Sequence, residues 1–230
     1  MHPILFKTGE INIYSYGVML ATAFFMAVFL ARRSAKEAHI SPDIITDLGL
    51  VLLFSGIAGA RLLYVILNIQ DYIRNPFEIL LLSHGGLAFY GGAVAASIAG
   101  IVYVKLKGLS VYKLGDLIAP YAALGQAIGR IGCFLNGCCF GKSGHPVQIY
   151  SSLTLIFIYG LLRLLQRLKV KPGLVLVSYG ALYGVKRFFM EFLRDDNIII
   201  LFGLTFSQFI SVIVFIVCIS ILFQRILARE

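Results

Sequence analysis

Long apolar segments alternate with short polar or basic ones along the whole chain. A helix of ~20 mostly apolar residues crosses a bilayer, and the apolar segments have about that length. They lie at about residues 14–31, 45–67, 84–106, 114–131, 149–165, 174–193 and 206–223. Residues 1–13 form a mostly polar lead, and we expect the more polar stretch 68–83 at the membrane interface. The pattern predicts an all-α, polytopic integral membrane protein with about seven transmembrane helices in a single domain, residues 1–230.

Composition agrees with a lipid environment. Hydrophobic residues make up 59% of the 230 residues, and mean hydropathy is +0.89, which is far above that of a soluble domain. The net charge of +9 is explained by loop lysines and arginines that orient the spans and meet anionic lipid headgroups. We therefore expect the bilayer, and not nucleic acid, as the partner of this charge.

The basic residues outside the spans are unevenly divided between the two membrane sides. One side, formed by the loops after spans one, three and five and by the C-terminus, carries Arg32, Arg33, Lys36, Lys105, Lys107, Lys113, Arg163, Arg167, Lys169, Lys171, Arg225 and Arg229. The other side carries Lys7, Arg74, Lys142 and Arg194. Cytoplasmic loops hold the excess of lysine and arginine, so we predict the N-terminus outside and the C-terminus in the cytoplasm.

Basic residues inside the predicted spans form a second group: Arg61, Arg130, Lys186 and Arg187. With this orientation they lie in the outer halves of spans two, four and six, while Tyr16 and His84 lie near the outer ends of spans one and three. Charges at this depth are costly and are usually functional. Independent snorkelling would place them at both faces, so their convergence favours a site for an anion of the outer leaflet.

The fourth span combines close helix packing with a charged residue. Gly125, Gly129 and Gly132 are three and four residues apart and predict a helix face that another backbone approaches closely. Arg130 lies on the same helix. We favour a binding site here over an arginine that only snorkels to the interface.

The segment KRFFMEFLR in the sixth span places Arg187, Glu191 and Arg194 at positions i, i+4 and i+7, on one predicted helix face. An arginine–glutamate pair keeps both groups ionised in an apolar setting. Two interpretations stay open: a structural ion pair between helices, or a glutamate that orients Arg187 toward a phosphate.

HGGLAFYGG opens the third span with a histidine and two glycines, His84, Gly85 and Gly86. Free backbone N–H groups at a helix start favour an anion. A histidine there can be a general base or a plain hydrogen-bonding anchor. Tyr16 and Tyr90 have the depth expected of the aromatic belt.

The loop after span four contains three cysteines, Cys133, Cys138 and Cys139. They could bind zinc with His145 or form a redox pair on an oxidising outer face. The CxxxxCC spacing is not a familiar structural zinc pattern. Packing is therefore the expected role of each cysteine, as it is for Cys218 in span seven, and no metal is expected.

Several motifs in fixed order resemble those of the prolipoprotein diacylglyceryl transferase family: HGGLAFYGG, GQAIGRIGCFLNG, HPVQIY and YGVKRFFMEFLR. The resemblance extends from Tyr14 to about Gln208. It implies a multi-pass enzyme of the bacterial inner membrane that moves diacylglycerol from phosphatidylglycerol to the lipobox cysteine thiol in the signal peptide of a secreted prolipoprotein. This is the first step of lipoprotein maturation. We expect a monomer that needs no external cofactor.

The resemblance also implies roles for residues. Arg130 and Arg187 match the family's two essential arginines and His84 its HGG histidine, which makes these three the predicted catalytic residues. The predicted substrate-binding residues are Tyr16, Asn136, Glu191 and Arg194, which match family motif positions, together with Arg61, Gly85, Gly86 and Tyr90. For Arg61 a structural role is the favoured alternative. The usual signature GRIGNFINGE is altered here, because Cys133 replaces its first asparagine and Cys138 its glutamate.

Three alternative functions would require different features of the sequence or would respond differently to experiments. A transporter needs a polar path across the membrane, and the inner halves of the spans are apolar apart from Asp47 and Asp116. A thiol oxidoreductase would use the cysteine cluster and would stop when the thiols are alkylated. A paralogue that lipidates a different acceptor would keep the arginines.

Overall fold

The computed structural model describes residues 3–8, 11–74, 76–79, 85–194, 199–201 and 203–227. In these ranges the chain is mostly helical, with α1 (Ser15–Glu37), α2 (Pro42–Leu67), α3 (Ile69–Arg74), α4 (Phe89–Leu106), α5 (Val111–Asn136), α6 (Val147–Arg167), α7 (Leu174–Phe192) and α8 (Phe206–Leu227). Helices α1, α2, α4, α6 and α8 are long and apolar enough to cross a membrane. The chain is therefore a polytopic membrane protein.

The long helices follow the predicted spans closely. Helix α6 covers the fifth predicted span with two more residues at each end, and α2 and α7 end within one residue of the predicted positions. The stretch predicted at the interface contains the short helix α3 and a 3-10 turn, Pro76–Ile79. Helix α4 begins at Phe89, and not at His84 as predicted.

Two small sheets correct the expectation of a purely helical chain. Strand β1 (Ile4–Thr8) pairs antiparallel with β2 (Ile11–Tyr14), in a register that places Lys7 opposite Asn12. Strand β3 (Ile199–Leu201) pairs antiparallel with β4 (Leu204–Thr205) just before α8. Strands β3 and β4 contain three and two residues, which is too short for alternation to predict them. Strands β1 and β2 contain five and four residues and lie in the stretch that we interpreted as a polar lead.

The chain divides into two compact units, one of residues 1–34 with 115–230 and the other of residues 35–114. In the second unit α2 packs on α4 through small residues. A Cβ atom at Gly59 would lie 2.2 Å from Ala95 Cβ, and one at Gly92 would lie 2.8 Å from Gly56 O. Glycine is required at this crossing because the two backbones almost touch.

The first unit has a core built from α5, α6 and α7, in which Ala123, Leu162 and Val175 are buried. The Asp116 carboxylate accepts hydrogen bonds from the backbone N–H groups of Gly173 and Leu176 at 2.5 and 2.8 Å, and so caps the start of α7. A capping role explains an acidic residue here without a polar path for transport.

Candidate functional site

Arg187 of α7 is held by two side chains from different elements. Its Nη2 atom lies 3.1 Å from Glu191 Oε2, one helical turn away, and donates to Ser207 Oγ of α8 at 2.9 Å. Thr205 Oγ1 donates to Glu191 Oε1 at 3.0 Å. Glu191 is buried, so this ion pair lies where its electrostatic effect is strong. The predicted pairing of Arg187 with Glu191 is confirmed.

Thr205, Ser207 and Gln208 complete this arrangement and were not among the residues predicted from the sequence. Thr205 N donates to Gln208 Oε1 at 2.9 Å, and Gln208 N donates to Thr205 Oγ1 at 3.3 Å. This reciprocal pair is a capping box that starts α8, and the sequence Thr-x-x-Gln before an apolar run is its signature. The cap fixes the two hydroxyls that contact the Arg187–Glu191 pair.

Arg130 lies on α5 with its side chain half-buried. Its guanidinium has no hydrogen-bond or ion-pair partner among the residues that the structure describes. It interacts electrostatically with the buried amine of Lys186 on α7, which also interacts with Arg187 and Arg194. The Lys186 Nζ atom lies 5.2 Å from the centre of the Tyr183 ring.

These four basic side chains form a group that we call the cationic cluster: Arg130, Lys186, Arg187 and Arg194. Within the described residues Glu191 neutralises Arg187, whereas the positive charge of Arg130 is not balanced by a contacting carboxylate. Uncompensated positive charge in an apolar setting attracts an anion strongly. The arrangement is therefore suited to bind a phosphate or carboxylate.

Tyr16 lies in the first turn of α1, near Arg130. Its phenol interacts electrostatically with Arg130 and with the loop cysteines. The close approach predicted for the fourth-span glycines is confirmed at Gly132, where a Cβ atom would lie 2.9 Å from Met19 Cβ of α1. At Gly125 a Cβ atom would make an ordinary contact, 3.4 Å from Ala23 O. The prediction of a close approach is wrong for Gly129, where a Cβ atom would meet nothing within 4 Å.

The loop cysteines lie together at the C-terminal end of α5. The sulfur atoms of Cys133, Cys138 and Cys139 all lie within 4.8 Å of one another, and those of Cys138 and Cys139 are 3.6 Å apart. Hydrogen bonds from Cys133 and Cys138, helped by the charges of Arg194 and Arg130, lower the pKa of the Cys139 thiol to about 5, although partial burial opposes the shift.

The cysteine loop is tied to the end of α7. Lys142 N donates to Leu193 O at 2.8 Å, and Gly141 forms an antiparallel bridge with Arg194. Helix α7 ends at Phe192, so Arg194 lies beyond it and not on the helix face that the spacing predicted. Asn136, the last residue of α5, is half-buried.

Arg61 belongs to the other unit and has a different environment. Its guanidinium donates to the carbonyl oxygens of Glu78 and Ile79 at 2.5 and 3.0 Å and to those of Gly85 and Gly86 at 2.6 and 3.1 Å. The side chain is buried. Through these hydrogen bonds Arg61 holds the segment before α4 in place.

The other site residues predicted in this unit lie around that segment. Gly85 and Gly86 adopt left-handed backbone conformations, with φ of +78° and +80°, and turn their carbonyl groups toward Arg61 ahead of the helix start. Tyr90 lies in the first turn of α4 and is exposed. His84 lies outside the described residues.

Replacing Arg61 should therefore affect folding before it affects chemistry. In Arg61→Gln four backbone carbonyl groups lose a charged donor, and a hydrogen bond to a charged group contributes about 1.5–3 kcal/mol. We expect several-fold less monodisperse protein in detergent, with turnover per folded molecule within about threefold of wild type. Size-exclusion chromatography and a transfer assay on the folded fraction check both. Lys105→Gln, on the same unit, is the control, and a normal yield of Arg61→Gln with lost turnover would contradict this role.

Comparison with known proteins shows which family this chain matches. The family model described as prolipoprotein diacylglyceryl transferase matches residues 3–224. The phosphatidylglycerol–prolipoprotein diacylglyceryl transferase of Clostridium tetani is 37% identical, over 94% of this chain and 95% of its own length. The enzyme with this name from Bacillus licheniformis is 32% identical over 100% of this chain and 95% of its own length. The similarity therefore extends over nearly the whole chain.

Proposed function

Since the chain belongs to the prolipoprotein diacylglyceryl transferase family, it is a phosphatidylglycerol–prolipoprotein diacylglyceryl transferase of the bacterial cell membrane, and we propose that Arg130 and Arg187 hold the phosphodiester of its lipid donor. The resemblance found in the sequence motifs is thereby confirmed. The observation that carries the proposal is the cationic cluster, where Arg130 and Arg187 are both near enough to the buried Lys186 to act on it by charge repulsion.

The two arginines have complementary surroundings. Among the described residues Arg187 contacts Glu191 and Ser207, in both cases through Nη2, so these contacts orient its guanidinium by one edge. Arg130 has no such partner within the described chain, and an anionic ligand would supply one. Arginine forks bind phosphate oxygens in pairs, so two arginines on adjacent helices suit one phosphodiester group.

The reaction follows from this placement. The lipobox thiol sulfur attacks the glyceryl carbon that carries the phosphate ester, a carbon–sulfur bond forms, and the carbon–oxygen bond breaks. Glycerol phosphate leaves with the electron pair of that bond. Arg130 and Arg187 stabilise the charge that develops on the departing phosphate oxygen. We propose His84 as the base that takes the thiol proton.

We propose that all seven long helices cross the membrane, with the N-terminus outside and the C-terminus in the cytoplasm. Helices α5 and α7 contain 26 and 19 residues, which is long enough to cross a bilayer, although they also contain the charges of the cluster and of the Asp116 cap. The loop excess of lysine and arginine after α1, α4 and α6 supports this orientation. It places the cationic cluster toward the outer leaflet.

A reporter fused after Glu230 should be cytoplasmic, and a reporter inserted between Lys142 and His145 should be outside. Alkaline phosphatase, which is active only outside, and a cytoplasmic fluorescent protein measure the two positions in the same cells. A fusion between Lys107 and Ser110, in the loop after α4, is the cytoplasmic control. A cytoplasmic signal from the 142–145 position would remove the cluster from the outer leaflet and contradict the proposed lipid site.

The function is tested with purified protein in detergent, phosphatidylglycerol and a lipobox peptide. We expect a thioether-linked diacylglyceryl peptide by mass spectrometry, and restored lipoprotein formation in cells depleted of their own transferase. A peptide with serine in place of the lipobox cysteine should remain unmodified. Mass determination in the same detergent tests the predicted monomer. Absence of product with correctly folded protein would contradict transfer to this acceptor.

A further inference from the structure

We propose that Cys133, Cys138 and Cys139 form a binding site for a thiophilic d10 metal ion, for which Zn²⁺ is the test ion. The altered signature of this chain supplies two of the three thiols, Cys133 and Cys138. The proposal concerns a site beside the cationic cluster and does not depend on how the lipid binds.

The sulfur positions fit a metal ion with small adjustments. A Zn–S bond of about 2.3 Å in tetrahedral geometry requires sulfur atoms ~3.8 Å apart. Cys138 Sγ and Cys139 Sγ are 3.6 Å apart, and all three sulfur atoms lie within 4.8 Å of one another. Packing alone does not require three thiols to converge on one point.

The backbone brings the thiols together at a conformational cost. Cys139 has φ of +63°, which is uncommon for a residue with a Cβ atom. Gly137 has φ of +77°, and Cys138 N donates to Cys133 O at 3.2 Å. The chain thus turns sharply after α5 and places the two adjacent thiols against Cys133. Unusual backbone of this kind is concentrated at functional sites.

Contacts outside the cluster hold the loop in this shape. The buried Gln148 donates from Nε2 to Cys138 O at 2.6 Å. Further along, the loop is fixed by the Lys142–Leu193 hydrogen bond and the Gly141–Arg194 bridge. A site whose ligands are positioned before binding gives higher affinity.

Charge and coordination number also fit. Three thiolates with Zn²⁺ carry a net charge of −1, and Arg130 and Arg194 interact electrostatically with Cys139, so they offset it. His145, considered as a fourth ligand from the sequence, is exposed with its ring near Tyr150. In the described chain the group of metal-ligating atoms consists of the three sulfurs, which leaves a fourth position for water or another small ligand.

The test uses Co²⁺, which reports thiolate coordination by its absorption spectrum. Full-length protein is purified in detergent, reduced, freed of reductant and titrated with Co²⁺. We expect saturable binding of about one Co²⁺ per chain with a thiolate-to-cobalt charge-transfer band, and displacement by Zn²⁺. Cys133→Ser, Cys138→Ser and Cys139→Ser should each weaken Co²⁺ binding at least about tenfold. Cys218→Ser, which changes a thiol packed on Gly180 of α7, is the matched control and should bind Co²⁺ as wild type does.

Thermal unfolding of each variant verifies that a loss of Co²⁺ binding is not a loss of folding. If a serine variant unfolds, methylation of the thiols in folded wild-type protein replaces it and should abolish the charge-transfer band. Three outcomes would overturn the proposal: no saturable Co²⁺ binding by reduced wild-type protein, equal binding by the triple serine variant, or equal loss in Cys218→Ser. Because the readout is metal binding, failure here is distinguishable from failure of the lipid site, which is measured by transfer.

Discussion

Arg130→Lys should lower the rate of diacylglyceryl transfer per folded molecule by roughly thirty- to a thousand-fold, which corresponds to ~2–4 kcal/mol of lost transition-state stabilisation. Lysine keeps the charge but lacks the planar fork that binds two phosphate oxygens. Arg130→Gln, which loses the charge as well, should be slowed at least as much. The assay measures transfer from phosphatidylglycerol to a lipobox peptide, normalised to folded enzyme in detergent.

The matched control for this prediction is Arg33→Lys. Arg33 is exposed near the end of α1, where its guanidinium lies 4.4 Å from the centre of the Phe29 ring. The same chemical change there should leave the transfer rate within about twofold of wild type. A transfer rate near that of wild type for Arg130→Lys would mean that Arg130 does not bind the phosphate and would contradict the prediction.

The helical part of the fold could be predicted because a lipid environment requires long apolar segments. Each predicted span contains most of one long helix. The hairpin of β3 and β4 escaped prediction because these strands contain only three and two residues. Pairing between such short strands depends on turns and on neighbouring helices, and leaves no periodic pattern.

The candidate site could be predicted where it follows helical periodicity. Arg187 and Glu191 are one turn apart on α7, and their ion pair follows from that spacing. Arg194 was misplaced because α7 ends at Phe192, and a basic residue just after a helix gives no local stop signal. Thr205 could have been found, since the Thr-x-x-Gln capping box is visible in the sequence.

The hydrogen-bond partners of Arg61 could not be predicted from the spacing of residues in the sequence. The sequence placed it in a span at the depth of the other arginines, but its hydrogen-bond partners are backbone carbonyl groups of residues that follow 17 to 25 positions later. Carbonyl groups carry no sequence signal. The convergence of the cysteine sulfurs is equally hidden, because it depends on the left-handed conformation of Cys139.

Arg187→Lys should reduce transfer by roughly thirty- to a thousand-fold for the same reason as at Arg130. The Glu191→Gln variant tests whether Glu191 orients Arg187 or only stabilises the fold. The glutamine amide oxygen can still accept a hydrogen bond from the Thr205 hydroxyl, and the side chain keeps its size. It has no negative charge, however, to hold the Arg187 guanidinium. If Glu191 orients Arg187, Glu191→Gln should lower the transfer rate about tenfold or more with unchanged folded yield.

A double-mutant cycle separates the two roles of Glu191. Once Arg187→Lys has removed the fork, an orienting Glu191 has little left to position, so adding Glu191→Gln should lower the transfer rate by much less than it does in wild type. A purely structural Glu191 would instead lower the folded yield and leave turnover per folded molecule unchanged in both backgrounds. Ser207→Ala removes the second contact of Arg187 at 2.9 Å without touching the carboxylate. Its effect on rate should resemble that of Glu191→Gln in direction and be smaller, because the guanidinium binds an uncharged hydroxyl more weakly than a carboxylate. Additive losses from Arg187→Lys and Glu191→Gln would show that the two residues act independently and would contradict an orienting role.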